Sequence, residues 1–400
     1  MGKKHKLIFL LMIGLLVIVI ACEKIIPGAP EDNAILDGPI EGLTPEQNRM
    51  FLRGDVAFND EIFTDATGLG PLFVASSCAS CHAGDGKGHP FTTLTRFGQS
   101  DTLSNLFLHM GGPQLQNRGL VGITPEKIPA GATFSSFTPP ANTGLGLIEA
   151  VPDATFIAMS DENDANGDGI SGRPNWVNKP SYSQLRPGTI VRNGKYIGRF
   201  GKKALVYDLL QQTVNAYNQD MGINSVFESI NTYTGLENDP EVTNGTVHDV
   251  VFYLQTLKAP IPRDVNNPDV QAGRQLFTSI GCAKCHMPQL QTGPSSIAAL
   301  ANKTFFPFTD NLLHDMGAAL DDGYTEGTAL TAEWRTPALW GLGLSKNSQG
   351  GKYFLLHDGR ARTIEDAITL HGGEGTQSKN SFQQLSATDK TKVLKFLESL

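Results

Sequence analysis

The sequence has little basic charge and few cysteine residues. Lysine and arginine together number 32 against 40 aspartate and glutamate residues, so the formal net charge is −8. A chain of this charge lacks the basic surface with which proteins bind nucleic acids, and we expect no nucleic-acid partner. The cysteines number only five, and four of them belong to two short motifs.

These motifs are two copies of the pattern Cys-x-x-Cys-His, at Cys78–His82 and Cys282–His286. The pattern is the covalent attachment signature of c-type haem, in which the thiols bond to the porphyrin and the histidine binds iron. A zinc site or a redox dithiol would leave the histidine after each second cysteine unexplained. The sequence therefore predicts two covalently bound haem c groups, held by Cys78, Cys81 and His82 and by Cys282, Cys285 and His286.

The first 21 residues have the pattern of an export signal, because a basic start precedes the apolar run Leu7–Ile20. Small Ala21 then precedes the lone Cys22, which resembles the lipobox of bacterial lipoproteins. We predict that Cys22 is acylated and anchors the exported chain to a cell-envelope membrane, facing the periplasm. An uncleaved single-pass anchor is the alternative. With Cys22 acylated and the other four cysteines bound to haem, no thiol remains for a disulfide or for dithiol exchange.

The rest of the chain contains a duplication. Each half has a helix with the pattern Gly-x-x-x-Phe, then a haem motif, then a closing amphipathic helix. The copies are Gly54–Phe58 with Val247–Leu257, and Gly273–Phe277 with Val393–Leu400. The glycine would let the two helices of a half cross closely, and the aromatic ring would fill the crossing.

The duplication predicts a mainly α fold made of two tandem class I cytochrome c-like domains, the first enlarged by long loop insertions. The predicted segments are a signal peptide at 1–21, a flexible tether at 22–43, an N-terminal haem domain at 44–258 and a C-terminal haem domain at 264–400.

Several longer motifs resemble those of the di-haem oxidoreductase family, a branch of the bacterial dihaem cytochrome c peroxidase superfamily whose members are described as peroxidases or thiol oxidoreductases. The stretches that carry the resemblance are Gly68–Pro71, Gly144–Pro152, Asp168–Pro174, Gly198–Gly201, Leu313–Gly317, Arg335–Gly341 and His357–Arg360. They span nearly the whole mature chain. The resemblance implies a periplasmic, mostly helical enzyme or electron carrier with two covalent haems.

The second haem has a candidate for its sixth iron ligand. In a cytochrome c domain this ligand comes from a loop before the closing helix, and His371 has that placement. A histidine there would give a bis-histidine haem, whereas Met316 is the alternative because methionine is the usual cytochrome c ligand. We also predict that Arg335 pairs with a haem propionate, since guanidinium binds carboxylate in bidentate geometry.

Glu149 is the predicted acid/base beside the first haem. Its apolar neighbours, among them Leu147 and Ile148, would raise the pKa of its carboxyl and suit it to proton transfer. The resemblance favours this role, because the superfamily uses a distal glutamate in its first domain. Gln116 is predicted to donate hydrogen bonds in the same pocket. The alternative is a structural Glu149 that caps a turn or pairs with an arginine.

A further pattern resembles the start of a calcium loop. Oxygen ligands recur at every second residue and glycine stands at the turn, although the usual bidentate glutamate is missing. The predicted ligands are Asp164, Asn166, Asp168 and Ile170. The resemblance favours calcium, which the superfamily often binds near the boundary between its haems, and a polar turn is the alternative.

Taken together, these features predict a dihaem c-type oxidoreductase that reduces hydrogen peroxide at the first haem with electrons relayed through the second. An external donor such as a small cytochrome or a cupredoxin would supply the electrons. The alternatives are a non-catalytic dihaem electron-transfer cytochrome and an oxidase that attacks a protein or organic substrate through a high-valent haem state.

Overall fold

The structure is a computed structural model that describes residues 31–99, 105–230, 235 and 240–400. The predicted signal peptide and the acylation site Cys22 lie outside the described residues. The chain divides into two units, Met1–Ile35 and Leu36–Leu400. The described residues of the first unit contain one 3-10 turn, Asp32–Ala34. The second unit contains both haem motifs.

Ten α-helices occur in the described part of the chain. In order they are α1 (Pro45–Asn59), α2 (Leu145–Glu149), α3 (Asp153–Met159), α4 (Leu209–Asn215), α5 (Asn244–Thr256), α6 (Pro268–Ser279), α7 (Ser345–Ser348), α8 (Ile364–Thr369), α9 (Thr376–Gln384) and α10 (Ala387–Ser399). A π-helical turn, Ala216–Asp220, continues α4. Among the described helices, none is long and apolar enough to cross a bilayer.

Ten short strands in the same described ranges pair as five antiparallel two-stranded sheets. The pairs are β1 (Leu72–Phe73) with β3 (Arg118–Gly119), β2 (Leu94–Gly98) with β4 (Thr133–Phe137), β5 (Trp176–Val177) with β6 (Tyr196–Ile197), β7 (Leu290–Gln291) with β8 (Thr304–Phe305), and β9 (Leu313–Asp315) with β10 (Glu333–Arg335). The longest ladder, β2–β4, pairs Leu94 with Phe137 and Gly98 with Thr133.

The prediction of a mainly α chain built from two tandem cytochrome c-like domains is wrong. Helices account for 35% and strands for 11% of the structure, and Leu36–Leu400 forms one compact unit. The long segments after the haem motifs satisfy their backbone groups by pairing into short ladders. One bridge joins the two halves directly, because Arg173 and Leu313 exchange backbone hydrogen bonds of 2.8 and 3.1 Å.

The predicted helix crossings are confirmed in both halves. Helices α1 and α5 approach so closely at Gly54 that a Cβ atom there would lie 2.1 Å from the carbonyl oxygen of Asp249. Helices α6 and α10 repeat the contact at Gly273, where a Cβ atom would lie 2.0 Å from the carbonyl oxygen of Lys392. Only glycine fits at either crossing without moving a backbone.

Aromatic rings fill both crossings, as the duplication predicts. The ring centroids of Phe58 and Tyr253 lie 5.5 Å apart in the first half, and those of Phe277 and Phe396 lie 5.4 Å apart in the second. Each crossing belongs to its own apolar cluster, and one cysteine of each haem motif, Cys78 or Cys282, packs against that cluster. In each half the duplicated helix pair therefore packs against the haem motif.

The start of α1 follows the sequence in detail. The Thr44 hydroxyl accepts a hydrogen bond from the backbone N–H of Gln47, and the Gln47 side chain accepts one from the N–H of Thr44. This reciprocal cap provides acceptors for two of the free backbone N–H donors at the helix start. Just before it, the N–H of Ile40 donates to the carbonyl of Thr256 at 2.7 Å. The last residues of the predicted tether are thereby paired to the end of α5.

Candidate haem-binding sites

Each motif opens onto a cavity. Cys78, Cys81 and His82 line a first cavity of about 190 Å³. Cys282, Cys285 and His286 line a second cavity of about 300 Å³. Burial raises the pKa of the Cys78 thiol to about 12 and that of the Cys282 thiol likewise to about 12. Thiols held protonated in this way are unlike the thiolates of a redox dithiol.

Two imidazoles line the second cavity, and in each the Nδ1 atom lies beside a backbone carbonyl oxygen. Nδ1 of His286 lies 3.0 Å from the carbonyl oxygen of Phe308, and Nδ1 of His371 lies 2.7 Å from that of Ala367. A carbonyl oxygen only accepts, so in both rings Nδ1 is the donor and Nε2 carries the lone pair. Burial lowers the pKa of both imidazoles, that of His286 to about 4, and keeps them neutral. This is the tautomer that binds iron through Nε2.

Met316, the alternative ligand, lines the second cavity as well. Its side chain packs against the apolar cluster that contains Leu320 and Trp334. No hydrogen bond orients a thioether as it orients an imidazole. Both predicted ligands therefore reach the cavity, and His371 is the one whose coordinating atom is oriented by a backbone contact.

His82 differs from its counterpart. Burial lowers its pKa to about 4, so its ring is neutral as well. The backbone of Pro140 and Gly86 acts to raise that pKa, yet the buried Nδ1 has no hydrogen-bond partner among the described residues. The ring is held by packing, with its centroid 5.9 Å from that of Phe58.

The two cavities share a wall. The residues that line both are Pro140, Ala141, Arg335, Pro337, Ala338 and Trp340. The Trp340 ring sits in this wall beside Phe305, with centroids 5.9 Å apart. Groups bound in the two cavities would consequently be neighbours across one thickness of side chains.

Three partly buried cations line the second cavity: Lys87, Lys202 and Arg335. Burial lowers the pKa of Lys87 to about 8, that of Arg335 to about 10 and that of Lys202 well below its ordinary value. None of the three forms an ion pair within the described ranges. Arg335 uses Nε on the carbonyl of Gly201 and Nη1 on the side-chain oxygen of Asn311. Burying unpaired cations is costly, so this cluster fits an anionic group such as the propionates of haem. The motif Arg335–Gly341 singles out Arg335 in the sequence, whereas isolated lysines carry no local signal.

A buried ion cluster stands beside the second motif. His314 Nε2 lies 2.9 Å from a carboxylate oxygen of Asp310, and its Nδ1 lies 2.6 Å from one of Glu374. These carboxylates and the Cys285 sulphur raise the pKa of His314 well above its ordinary value despite burial. His314 is thus an imidazolium held between two carboxylates, a role that its motif alone did not reveal.

Glu149 and Gln116 lie outside the lining of the first cavity. Glu149 accepts hydrogen bonds of 2.7 Å from the N–H of Leu209 and from the side chain of Gln255. Burial raises the pKa of its carboxyl, as its apolar neighbours predict. Within α2, Leu145 and Ile148 face the cavity, and the next residue is turned about 100° away around the helix. These contacts are those of the structural alternative, and a catalytic role stays a prediction.

Gln116 instead supports the π-helical turn. Its side-chain amide donates to the carbonyl oxygens of Gln219, at 3.1 Å, and Asn218, at 3.4 Å. Its own backbone N–H donates to the carboxylate of Glu126. The predicted hydrogen-bonding role in the pocket also stays a prediction.

The predicted calcium loop packs against the second haem motif. Its side-chain oxygens accept backbone N–H groups, with Asp164 bound to Gly169 and Asn166 bound to Asp168. The carboxylate of Asp168 also pairs with the ammonium of Lys284, inside the motif, at 3.0 Å, and the Ile170 side chain lines the second cavity. The loop is therefore coupled to the second site, and calcium binding stays a prediction.

Comparison with known proteins gives one family. The family described as "Di-haem oxidoreductase, putative peroxidase" matches residues 137–400, a range that includes the second haem motif. Among proteins with curated descriptions, none matches the sequence. The structure of Kuenenia stuttgartiensis hydrazine synthase pressurised with xenon aligns over 94% of this chain and 98% of its own, with a TM-score of 0.41 and 16% identity.

That structural likeness is too weak to support a conclusion about fold or function. The family match is different, because it covers well over half of the chain. It also agrees with the two cavities that the motif histidines line. The chain belongs to the di-haem oxidoreductase family, which implies haem cofactors and an oxidoreductase activity.

Proposed function

We propose that this oxidoreductase reduces hydrogen peroxide in the first cavity with electrons that arrive through the second. The observation that supports the proposal is the shared wall, in which Arg335 and Trp340 line both cavities. Haem in each cavity would supply one-electron chemistry and, in the first, an iron on which peroxide is reduced. The overall reaction consumes one peroxide, two electrons and two protons and releases two waters.

We propose that the four motif cysteines attach the haems covalently and that His82 and His286 bind the irons through Nε2. In the second cavity His371 would supply the opposite ligand, since its Nδ1 is already committed to the Ala367 carbonyl. A haem held by two oriented imidazoles has no open position, which suits electron transfer rather than substrate binding.

The propionates would lie against the three partly buried cations. Arg335 contributes Nη2, which has no partner among the described residues, and the Lys87 ammonium reaches only the Leu356 carbonyl, at 3.4 Å. Pairing with carboxylates would offset the cost of burying these charges. An external donor, such as a small cytochrome or a cupredoxin, would deliver electrons to the exported and lipid-anchored chain.

The experiment is peroxide turnover by the purified dihaem protein, measured with a chemical donor alongside electron paramagnetic resonance in each redox state. We expect one haem to be low-spin throughout, and the other to become high-spin and react with peroxide in at least one redox state. If both haems stay low-spin and inert to peroxide in every redox state, the chain is an electron carrier instead.

A further inference from the structure

One helical face lines the first cavity with polar side chains. Helix α4 and its π-helical continuation contribute Thr213, Tyr217 and Asp220, spaced four and three residues apart, which is the spacing of one face of a helix. π-helical turns recur at functional sites. Gln116 anchors this turn from behind through its hydrogen bonds to the Gln219 and Asn218 carbonyls.

Two of these side chains have buried oxygens without a partner. The Tyr217 hydroxyl and the Thr213 hydroxyl make no hydrogen bond to any described residue, although their side chains are only 1% and 4% exposed. An unpartnered buried hydroxyl is costly and uncommon. Both residues line the cavity, so a polar ligand bound there would satisfy both oxygens.

The third side chain of this face carries an exchangeable proton. Asp220 lines the cavity and forms no ion pair within the described residues. Arg96 is the cation that lowers its pKa, but the Arg96 guanidinium binds Glu326 at 2.5 Å. The other titratable groups on which the Asp220 charge acts are the Cys78 and Cys81 thiols. Burial raises the pKa of the Asp220 carboxyl to about 7, where a group both accepts and donates a proton at neutral pH.

This helical face has a counterpart in the second half of the duplicated chain. In the second half, α8 and His371 precede the closing helix α10. In the first half, α4 and its π-helical turn occupy the same place in chain order, before the closing helix α5. In chain order, the first half therefore has a phenol and a carboxyl where the second half has an imidazole.

We infer that Asp220 and Tyr217 form the proton-transfer pair of the first cavity. The Asp220 carboxylate accepts the proton of one peroxide oxygen and passes it to the other, and Tyr217 donates a hydrogen bond to the bound ligand. Two electrons from the external donor and two protons from solvent enter as the oxygen–oxygen bond breaks, and both oxygens leave as water. This inference rests on the proposed function and names the groups that carry out its proton step.

The test uses the full-length protein with both haems and cyanide as the probe, because cyanide binds haem iron and accepts hydrogen bonds without turnover. Cyanide affinity is titrated optically from pH 5 to 9 for the wild type, Asp220→Asn and Tyr217→Phe. We expect a step in wild-type affinity near pH 7 that Asp220→Asn abolishes. Tyr217→Phe should weaken affinity roughly 2- to 10-fold, the effect of one hydrogen bond.

Controls make the same chemical changes away from the cavity. Asp60→Asn alters an exposed carboxylate, and Tyr182→Phe alters a phenol that packs against Phe227. Both should keep the wild-type cyanide profile. Peroxide turnover at pH 7 should fall about 10²- to 10⁴-fold in Asp220→Asn, the usual contribution of an acid/base group.

Several results would overturn the inference. One is a wild-type cyanide titration in which the affinity shows no step between pH 6 and 8. This measurement uses the wild-type protein alone, so it does not depend on whether a variant folds. Another is an Asp220→Asn protein with both haems and an unchanged profile. If the step depends on Asp220 but peroxide is inert in every redox state, the polar face binds ligand as inferred and the proposed peroxidase function fails.

Discussion

The two cavities of this molecule share an attachment motif and differ in almost everything else. The second is the larger and contains two oriented imidazoles, His286 and His371, beside three unpaired cations. The first is lined by one imidazole, that of His82. Later in the same half of the chain it is lined by the Thr213 hydroxyl, the Tyr217 phenol and the Asp220 carboxyl. The sequence repeats the haem motif, and the two halves differ in the segment before each closing helix. We propose that this difference makes one site a closed relay and the other a reactive site.

The largest effect is expected when one haem site is removed at a time. Replacing Cys78 and Cys81, or Cys282 and Cys285, by alanine should halve the haem content from two per chain to one, because thioether attachment needs the thiols. Haem absorbance per protein measures this directly. The remaining haem should be low-spin when the first motif is removed. Identical spectra from the two single-haem proteins would show that the sites are equivalent.

The next largest effect is expected from breaking the ion cluster beside the second site. In His314→Gln, Asp310 and Glu374 lose their cation, at a cost of about 3–5 kcal/mol in the free energy of unfolding. The raised pKa of His314 makes its contribution complete below pH 6.5 and lost as the pH rises through the folded value. The lowered pKa of Glu374 makes its contribution complete above pH 4.5 and lost on further acidification.

The difference between wild type and His314→Gln should therefore be greatest between about pH 4.5 and 6.5 and shrink on either side. Urea unfolding across this range measures it. His248→Gln is the control, since His248 has no carboxylate partner among the described residues. A pH-independent difference would show that His314 acts through packing alone.

The ligand of the second haem gives a smaller and more local effect. His371→Met should leave haem attached but raise the midpoint potential of that haem by on the order of 0.1 V, because axial ligands set haem potentials. Met316→Leu should leave potential and spectrum unchanged. Potentiometric titration followed optically distinguishes the two. The reverse outcome would make Met316 the ligand and would remove the bis-histidine contrast between the cavities.

The smallest effect is expected at the helix crossings, which the two halves have in common. Gly54→Ala and Gly273→Ala each place a Cβ atom about 2 Å from a backbone oxygen, and each should destabilise the fold by about 1–3 kcal/mol. Gly245→Ala is the matched control, because its Cβ would meet nothing closer than 3.7 Å. Urea midpoints measure all three. A neutral result at either crossing would show that the two helix pairs are not equivalent.

Sequence patterns predicted the parts of this protein that depend on neighbouring residues. Each Cys-x-x-Cys-His motif is complete within five consecutive residues. The crossings at Gly54 and Gly273 were visible because duplication repeats the pattern. Glu149 shows the limit, since its apolar neighbours correctly predict a raised pKa but do not specify which way the side chain of α2 faces.

What the sequence by itself determined is therefore the cofactor class, the duplicated helices and the two motif histidines. Only the tertiary structure decided that the long segments form β-ladders, that Lys87 and Lys202 meet Arg335, and that Asp220 lines the first cavity. The physical reason is sequence separation. A ladder such as β2–β4, or a cluster that joins residues 87, 202 and 335, depends on contacts between distant segments, and these leave no periodic pattern in the chain.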